Sequence, residues 1–342
     1  MTDKNCPVIL VCSPFQILCA AEAVNLEVKS SVRLIVLRTQ CVNNDSQVDK
    51  LVDYYDDLWS SVNYVRMKGR EGISIIKYLY DLFLLKLNLW NTDEIYIGDP
   101  RVRTFQLISN LLIHKKATFL DDGLGALGYG IFLEKLKQEC NESKIKSIFY
   151  GYRGISLRSI FYSELIDNNV GFELEYKQCD IVKFLKDSHQ FKSDLKGHYF
   201  IGQKLVDNGF LTLSEYIFRL KGYVDKIKEK FNSEVIYISH RGESESTISK
   251  VESLKNIKVV KLELPIEVYL SFNGVVPVSV ASFYSTALIT LSMIYKDLPV
   301  KFFSLDIPYN ISITENEHLF KNIKNAYQLI GKFNVESLKY DS

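Results

Sequence analysis

Asp121, Asp122 and Gly123 stand together after the apolar run Ala117–Leu120, and glycine recurs at 125 and 128. Adjacent side chains of a strand point to opposite faces. One carboxylate at the strand's end can therefore reach a ligand while the other holds the turn. A carboxylate beside a second one has its pKa raised toward values that suit a general base. The same residues also spell a plain Asp-Gly turn, and the glycines do not follow the G-x-G-x-x-G spacing of a dinucleotide site.

A second group lies in the other half of the chain. His240-Arg241-Gly242-Glu243 follows the run Glu234–Ser239. His240 and Arg241 both donate hydrogen bonds suited to a phosphate, and a neighbouring anion favours imidazolium. Ser285 and Thr286 open an apolar helix after Pro277–Val280. Hydroxyls and free backbone N–H groups at a helix N-terminus make an anion site, although ordinary capping uses the same residue types. Glu267, after Leu264-Pro265-Ile266, is a candidate acceptor for ribose hydroxyls, and Gln203 a further donor-pocket candidate. Near the start, Ser13 and Gln16 follow the first apolar run, where Ser13 and Pro14 also read as a helix cap. Asp99, Arg101 and Arg103 follow the fourth run, and the arginines equally fit a solvated helix start. His114, His189, His198 and His318 read as structural or solvated.

These residues need strand ends to hold them. Short β-branched runs at Val8–Cys12, Val32–Leu37, Val62–Met67, Glu94–Gly98 and Ala117–Leu120 alternate with helical patterns at Phe15–Leu26, Gly72–Leu89 and Val102–Leu112. Such alternation predicts a parallel sheet covered on both faces. It restarts near residue 198. Strands are expected at His198–Gly202, Glu234–Ser239, Ile257–Leu262, Pro277–Val280 and Val300–Ser304. Helices are expected at Thr212–Phe231 with Ser214 as a cap, at Ser285–Tyr295 and at about Glu317–Ile330. The segment Leu133–Lys196 is charged and irregular and reads as one or two helices and a linker. The boundary falls near residue 190, which gives an acceptor-side domain over 1–190 and a nucleotide-sugar domain over 191–342. In such α/β sheets ligands bind outside the carboxyl ends of the strands, here in a cleft between the halves.

The bulk numbers agree with this class. A chain of 342 residues is long enough for two α/β domains. Lys+Arg at 42 against Asp+Glu at 41 gives no bulk reason to expect nucleic acid. The six cysteines form no C-x-x-C pair, so free thiols in a reducing cytoplasm are expected and a zinc site is not. The run at residues 8–12 is too short for a signal peptide. The apolar stretch Ile73–Trp90 is interrupted by Lys77, Asp81 and Lys86 and reads as a buried helix rather than a membrane span.

In their order, Asp121-Asp122-Gly123, His240-Arg241 and Ser285-Thr286 resemble the acidic, His-Pro and Ser-Ser/Thr motifs of the bacterial lipooligosaccharide, capsule and O-antigen sialyltransferases. The polysialyltransferases are more distantly similar. Ser13-Pro14-Phe15-Gln16 and Tyr199-Phe200-Ile201-Gly202-Gln203 also look like family segments. The resemblance implies a GT-B α/β fold of two Rossmann-like domains facing across a cleft. It also implies inverting, metal-independent transfer of sialic acid from CMP-sialic acid, with no cofactor, to a surface glycan. The expected acceptor is terminal galactose, in α-2,3 linkage. Asp121 would then be the base and Asp122 its support. His240, Arg241, Ser285 and Thr286 would hold the donor phosphate, with Glu267 on the ribose and Gln203 nearby. Ser13, Gln16, Asp99 and Gly123 would serve the acceptor. Arg241 stands where the family has proline. A lipid-linked acceptor, peripheral contact with the inner face of the inner membrane and a homodimer are further expectations. Two alternatives stay open: another nucleotide sugar on the same fold, and a non-catalytic nucleotide- or sugar-binding protein.

Overall fold

The computed structural model describes residues 6–28, 31–39, 41–66, 80, 82–84, 92–112, 114–143, 152, 155–160, 175–187, 195–307 and 317–340. Most of the helix expected over 72–89, together with Met67 and His189, lies outside the described residues. The chain divides into two units, Met1–Ile181 and Val182–Ser342.

Among its described residues unit 1 carries seven strands: β1 (Val8–Val11), β2 (Val32–Arg38), β3 (Trp59–Arg66), β4 (Glu94–Ile97), β5 (Lys116–Phe119), β6 (Ile155–Ser159) and β7 (Glu175–Gln178). They pair in parallel in the order β3-β2-β1-β4-β5-β6-β7. Helices α1 (Pro14–Leu26), α2 (Val42–Tyr54), α3 (Arg103–Leu111) and α4 (Tyr129–Glu142) lie between strands. All four residues of β1, Val-Ile-Leu-Val, are buried, as a strand covered on both faces requires. The strand order reverses between β1 and β4, which makes their carboxyl ends the topological switch point.

The segment read as irregular is corrected here. Among the described residues of 133–196 the structure places two more strands, β6 and β7, besides most of α4 and a helix at Ile181–Asp187. Polar residues hid β6: Ser156, Arg158 and Ser159 are all buried. Arg158 is tolerated inside because its Nη2 donates to both oxygens of Glu22 on α1, each at 2.7 Å. Glu22 Oε1 also accepts the backbone N–H of Asp180 at 2.9 Å, so one buried ion pair ties α1, β6 and the exit of β7 together.

In unit 2, α5 (Ile181–Asp187) begins at the division. The sheet follows with β8 (His198–Ile201), β9 (Val235–Ile238), β10 (Ile257–Val260), β11 (Ser279–Ser282), β12 (Lys301–Leu305) and β13 (Glu336–Leu338). The order is β10-β9-β8-β11-β12-β13, all parallel, with its reversal between β8 and β11. The helices are α6 (Leu213–Phe231), α7 (Glu245–Glu252), α8 (Ile266–Phe272), α9 (Thr286–Ile294) and α10 (Glu317–Ile330). Ser214 does not cap α6. Thr212 does, in a reciprocal capping box with Glu215, and Asn232 closes the helix in the left-handed region at φ 50°. The core is aromatic: Phe200, Tyr216, Tyr223, Tyr237 and Phe283 are buried between α6 and the sheet. None of the six cysteines is in a disulfide. Among the described residues, no helix is long and apolar enough to cross a membrane.

The buried pair sets a stability test. Arg158→Met leaves the Glu22 carboxylate buried without its partner and should cost about 3–5 kcal/mol in urea unfolding. Replacing both, as Glu22→Leu with Arg158→Met, should recover most of that loss. A double variant no better than the single one would mean the two residues are not coupled.

Candidate functional site

The acidic turn leaves β5 at the carboxyl edge of the unit 1 sheet, next to the exits of β4 and β1. As the strand alternation requires, the two carboxylates point apart, and their environments differ sharply. Asp121 is fully buried. Its Oδ1 accepts the N–H of Gly123 at 2.5 Å and its Oδ2 the N–H of Ile160 at 2.6 Å. Burial pushes its pKa up to about 6 against hydrogen bonds from Ser159, Ile160 and Gly123 that pull it down. Gly123 sits at φ +62°, a conformation that glycine adopts without strain.

Asp122 is half-buried. Gln16 Nε2 donates to its Oδ1 at 2.9 Å, and Arg101 Nη2 to its Oδ2 at 3.0 Å. A carboxylate has about four lone-pair sites, so two contacts leave acceptor capacity. Burial first, then the nearby Asp99, pushes Asp122 up to about 7, while Gln16 and Arg101 oppose that rise. The resemblance implies Asp121 as base and Asp122 as its support, and the contacts of the two differ. Asp121 has both oxygens committed to backbone amides. Asp122 is the carboxylate with acceptor capacity to spare.

Gln16 touches Asp122 directly, Asp99 reaches it through Arg101, and Ser13 touches Gln16. Ser13 caps α1 by accepting the N–H of Gln16 at 3.3 Å, ahead of Pro14, so the plain capping reading holds for it. Gln16 is buried and uses both ends of its amide, since its Oε1 also accepts the N–H of Cys12 at 2.8 Å. A β-carbon at Gly98 would lie 2.3 Å from that Oε1, and one at Gly125 only 2.6 Å from Asp122 Oδ2. Asp99 binds Arg101 through both oxygens, at 2.8 and 3.0 Å. The solvated-helix reading of Arg101 is thus replaced by a bridge between two carboxylates. The Arg101 guanidinium also lies 5.3 Å from the ring centroid of Tyr129, a residue that nothing in the local sequence marked.

Unit 2 presents a second cluster at its own carboxyl edge, where β9, β8 and β11 are neighbours. His240 follows β9, Gln203 follows β8 and Ser285 follows β11. His240 is half-buried, and its Nδ1 accepts the N–H of Gly242 at 3.1 Å. That contact puts the ring proton on Nε2. Burial, then Arg241 and Lys204, lowers its pKa to about 4, so the ring is neutral at pH 7. After burial its strongest neighbours are the cations Arg241 and Lys204, so the imidazolium expected from the sequence needs an anion beside the ring.

Ser285 is the N-cap residue of α9 but makes no side-chain capping bond. Its hydroxyl is not spent on the helix, and Thr286 is the first helical residue. Gln203, expected in the donor pocket, straps the backbone after β11. Its Oε1 accepts the N–H of Tyr284 at 3.0 Å and the hydroxyl of Ser282 at 3.2 Å, and its Nε2 donates to the Tyr284 carbonyl. Glu267 is buried in the first turn of α8, not on a broken strand, and its Oε1 accepts the Thr290 hydroxyl at 2.9 Å. It joins α8 to α9. Arg241 acts electrostatically on both His240 and Glu267. His114 and His198 are buried, with Nδ1 near Leu112 O at 3.1 Å and near Ser279 Oγ at 2.9 Å respectively, in keeping with structural roles.

No family model matches the chain, and no curated protein matches its sequence. Solved structures do match. A sialyltransferase from Photobacterium damsela aligns over 98% of this chain and 81% of its own, at 14% identity and a TM-score of 0.52. The chain has the GT-B fold. S. aureus MnaA, solved with UDP, aligns at 13% identity and a TM-score of 0.56 over 96% of this chain and 88% of that one. The UDP-GlcNAc 2-epimerase of Methanocaldococcus jannaschii, in complex with UDP-GlcNAc and UDP, aligns at 12% identity and 0.51 over 95% and 92%. At these identities the likeness is one of fold, two Rossmann-like domains built on parallel sheets.

The Gln16 contact has a direct readout. Gln16→Leu removes a donor to the ionised Asp122, so the Asp122 titration should move upward by about one pH unit. Carboxyl carbon NMR would follow it. A titration that stays in place or moves down would show that Gln16 does not stabilise the carboxylate.

Proposed function

We propose that the chain is a glycosyltransferase that binds a nucleotide-activated sugar in unit 2 and uses Asp122 of unit 1 as its general base. The observation that carries this reading is the pair of uncommitted donors at the unit 2 strand ends. His240 carries its proton on Nε2, and Ser285 leaves its hydroxyl out of the helix cap beside the amides that open α9. Oriented donors at a helix N-terminus suit a phosphate. A bound phosphate would also supply the negative charge that raises the His240 pKa.

In chemical terms, Asp122 takes the proton of the acceptor hydroxyl as its oxygen bonds to the anomeric carbon. The bond from that carbon to the phosphate oxygen breaks, and its electron pair leaves with the nucleotide. Negative charge grows on the phosphate, and fixed donors at His240, Ser285 and Thr286 stabilise it. An acceptor oxygen attacking opposite the leaving group inverts the anomeric centre. A carboxylate with a pKa near the working pH suits the base role, and Asp122 at about 7 meets that condition.

Within this class the donor is CMP-sialic acid and the acceptor a terminal galactose of a bacterial surface glycan, such as O-antigen, lipooligosaccharide or capsule. The order of the acidic, His and Ser-Thr motifs supports the narrower reading, as does the fold shared with a sialyltransferase. No metal is required by this scheme, because protein donors carry the phosphate charge. The reaction then runs at the inner face of the inner membrane if the acceptor is lipid-linked. A second donor reading, a UDP-sugar, is favoured by two structures of the same fold that hold UDP.

Calorimetry with CMP and with UDP separates the two donors, and product analysis with CMP-sialic acid and a β-galactoside tests transfer. CMP binding with chelator-resistant transfer is expected. Binding of UDP alone would reject the CMP donor, and nucleotide binding without transfer to any acceptor would reject catalysis.

The base has its own test. Asp122→Asn should lower kcat by about 10²–10⁴-fold while nucleotide affinity holds. In the unaltered protein, kcat/KM should rise as pH climbs toward about 7 and level off above it, because the ionised form is the active one. Full turnover in the Asn variant would remove Asp122 from the reaction.

A further inference from the structure

The strand ends of unit 2 are joined by a buried chain of hydrogen bonds that the scheme above does not use. Glu243 closes the turn after β9, and its backbone N–H donates to the His240 carbonyl at 3.0 Å. Its side chain is buried. Oε2 accepts the backbone N–H of His240 at 2.5 Å. Oε1 accepts the hydroxyls of Tyr237 at 2.6 Å and Tyr216 at 3.4 Å. The two tyrosine oxygens lie 2.7 Å apart, and the Tyr216 oxygen accepts the backbone N–H of Gln203 at 3.3 Å. Gln203 then straps the backbone of Tyr284, the residue before Ser285. Gly202 leaves room for the cluster: a β-carbon there would lie 2.5 Å from the Tyr237 hydroxyl and 2.7 Å from Glu243 Oε2.

One buried carboxylate therefore links the exits of β9, β8 and β11. We propose that Glu243 is a positioning residue of the phosphate site, fixing the His240 backbone directly and the Gln203 strap before Ser285 through Tyr237 and Tyr216. This rests on the reading of His240 and Ser285 as phosphate donors.

The proton inventory makes the arrangement sensitive to the state of Glu243. The His240 N–H can only donate, so Oε2 stays an acceptor and any added proton goes to Oε1. Oε1 must then donate to Tyr237, whose proton turns to Tyr216. The Tyr216 oxygen already accepts from Gln203, and its own proton is left only the long 3.4 Å contact back to Oε1. The ladder keeps short bonds throughout only with the carboxylate ionised, and a partly satisfied buried network is costly. Burial pushes Glu243 up to about 7, with Asp207 adding to the rise. Lys204 on the loop after β8 and Arg241 on the same turn act on its neighbour His240.

Glu243→Gln keeps an acceptor for His240 and presents an amide N–H to Tyr237, which imitates the protonated carboxyl at every pH. CMP is the probe, measured by calorimetry from pH 6 to pH 8.5, with UDP in its place if only UDP binds. At pH 8.5 the Gln variant should bind about tenfold more weakly than the unaltered protein, a gap of about 1.4 kcal/mol. At pH 6 the two should converge. Tyr237→Phe, with circular dichroism to confirm folding, should weaken binding in the same direction at pH 8.5. Equal affinity of the Gln variant at both pH values, or an equal loss at both, would overturn the proposal. If the unaltered protein binds neither nucleotide, the donor reading itself fails and this inference falls with it.

Discussion

The buried carboxylate of Asp121 constrains the whole acidic turn. Its two oxygens take the N–H groups of Gly123 and Ile160, backbone donors at the exits of β5 and β6 that otherwise have no strand partner. A buried amide left unpaired costs about 1–3 kcal/mol, so the chain end of the sheet depends on this side chain being where it is. Once Asp121 turns inward, strand alternation sends Asp122 the other way. The exposure of Asp122, its contact with Gln16 and its meeting with Arg101 all follow from that division.

Unit 2 solves the same problem with different residues. There Glu243 takes the backbone N–H of His240, as Asp121 takes that of Gly123. In each unit an inward acid holds the backbone of a strand-end turn, and a neighbouring side chain is left for chemistry. The two acids carry raised pKa values for the same reason, desolvation. A perturbed pKa is a pointer to function, but both oxygens of each of these two acids already accept hydrogen bonds from within the fold. Only the hydrogen-bond inventory separates them from Asp122.

Most of the architecture was legible in the sequence. The runs around β1, β2, β4, β5 and β8 through β12 are short, β-branched and separated by helical periods, which is the pattern of parallel sheets. The strand β6 was not legible, because Arg158 and two serines interrupt its apolar pattern and their burial depends on Glu22, distant in sequence. The short helix at Glu267 was hidden behind Pro265, which reads equally well as a strand breaker or as the residue before a first helical turn. In the site, residue types at strand ends were readable, and orientation was not. Asp121 and Asp122 differ by which face of β5 they leave, and Gln203 and Ser285 by which hydrogen bonds are already made. Those are properties of neighbours that the local sequence does not name.

The same inventory separates strand-end side chains that the fold takes up from those that it leaves. Ser13 and Ser285 occupy equivalent places, each the cap position of a helix that follows a strand beside the switch point. The Ser13 hydroxyl accepts the N–H of Gln16 and is thereby consumed. The Ser285 hydroxyl accepts none in its helix; the N–H of Leu288 turns to the Ser285 carbonyl instead, at 3.1 Å. A side-chain cap is worth roughly 1 kcal/mol to a helix, and α9 does without it. The missing side-chain cap at Ser285 is thus the feature on which the phosphate reading of this helix end rests.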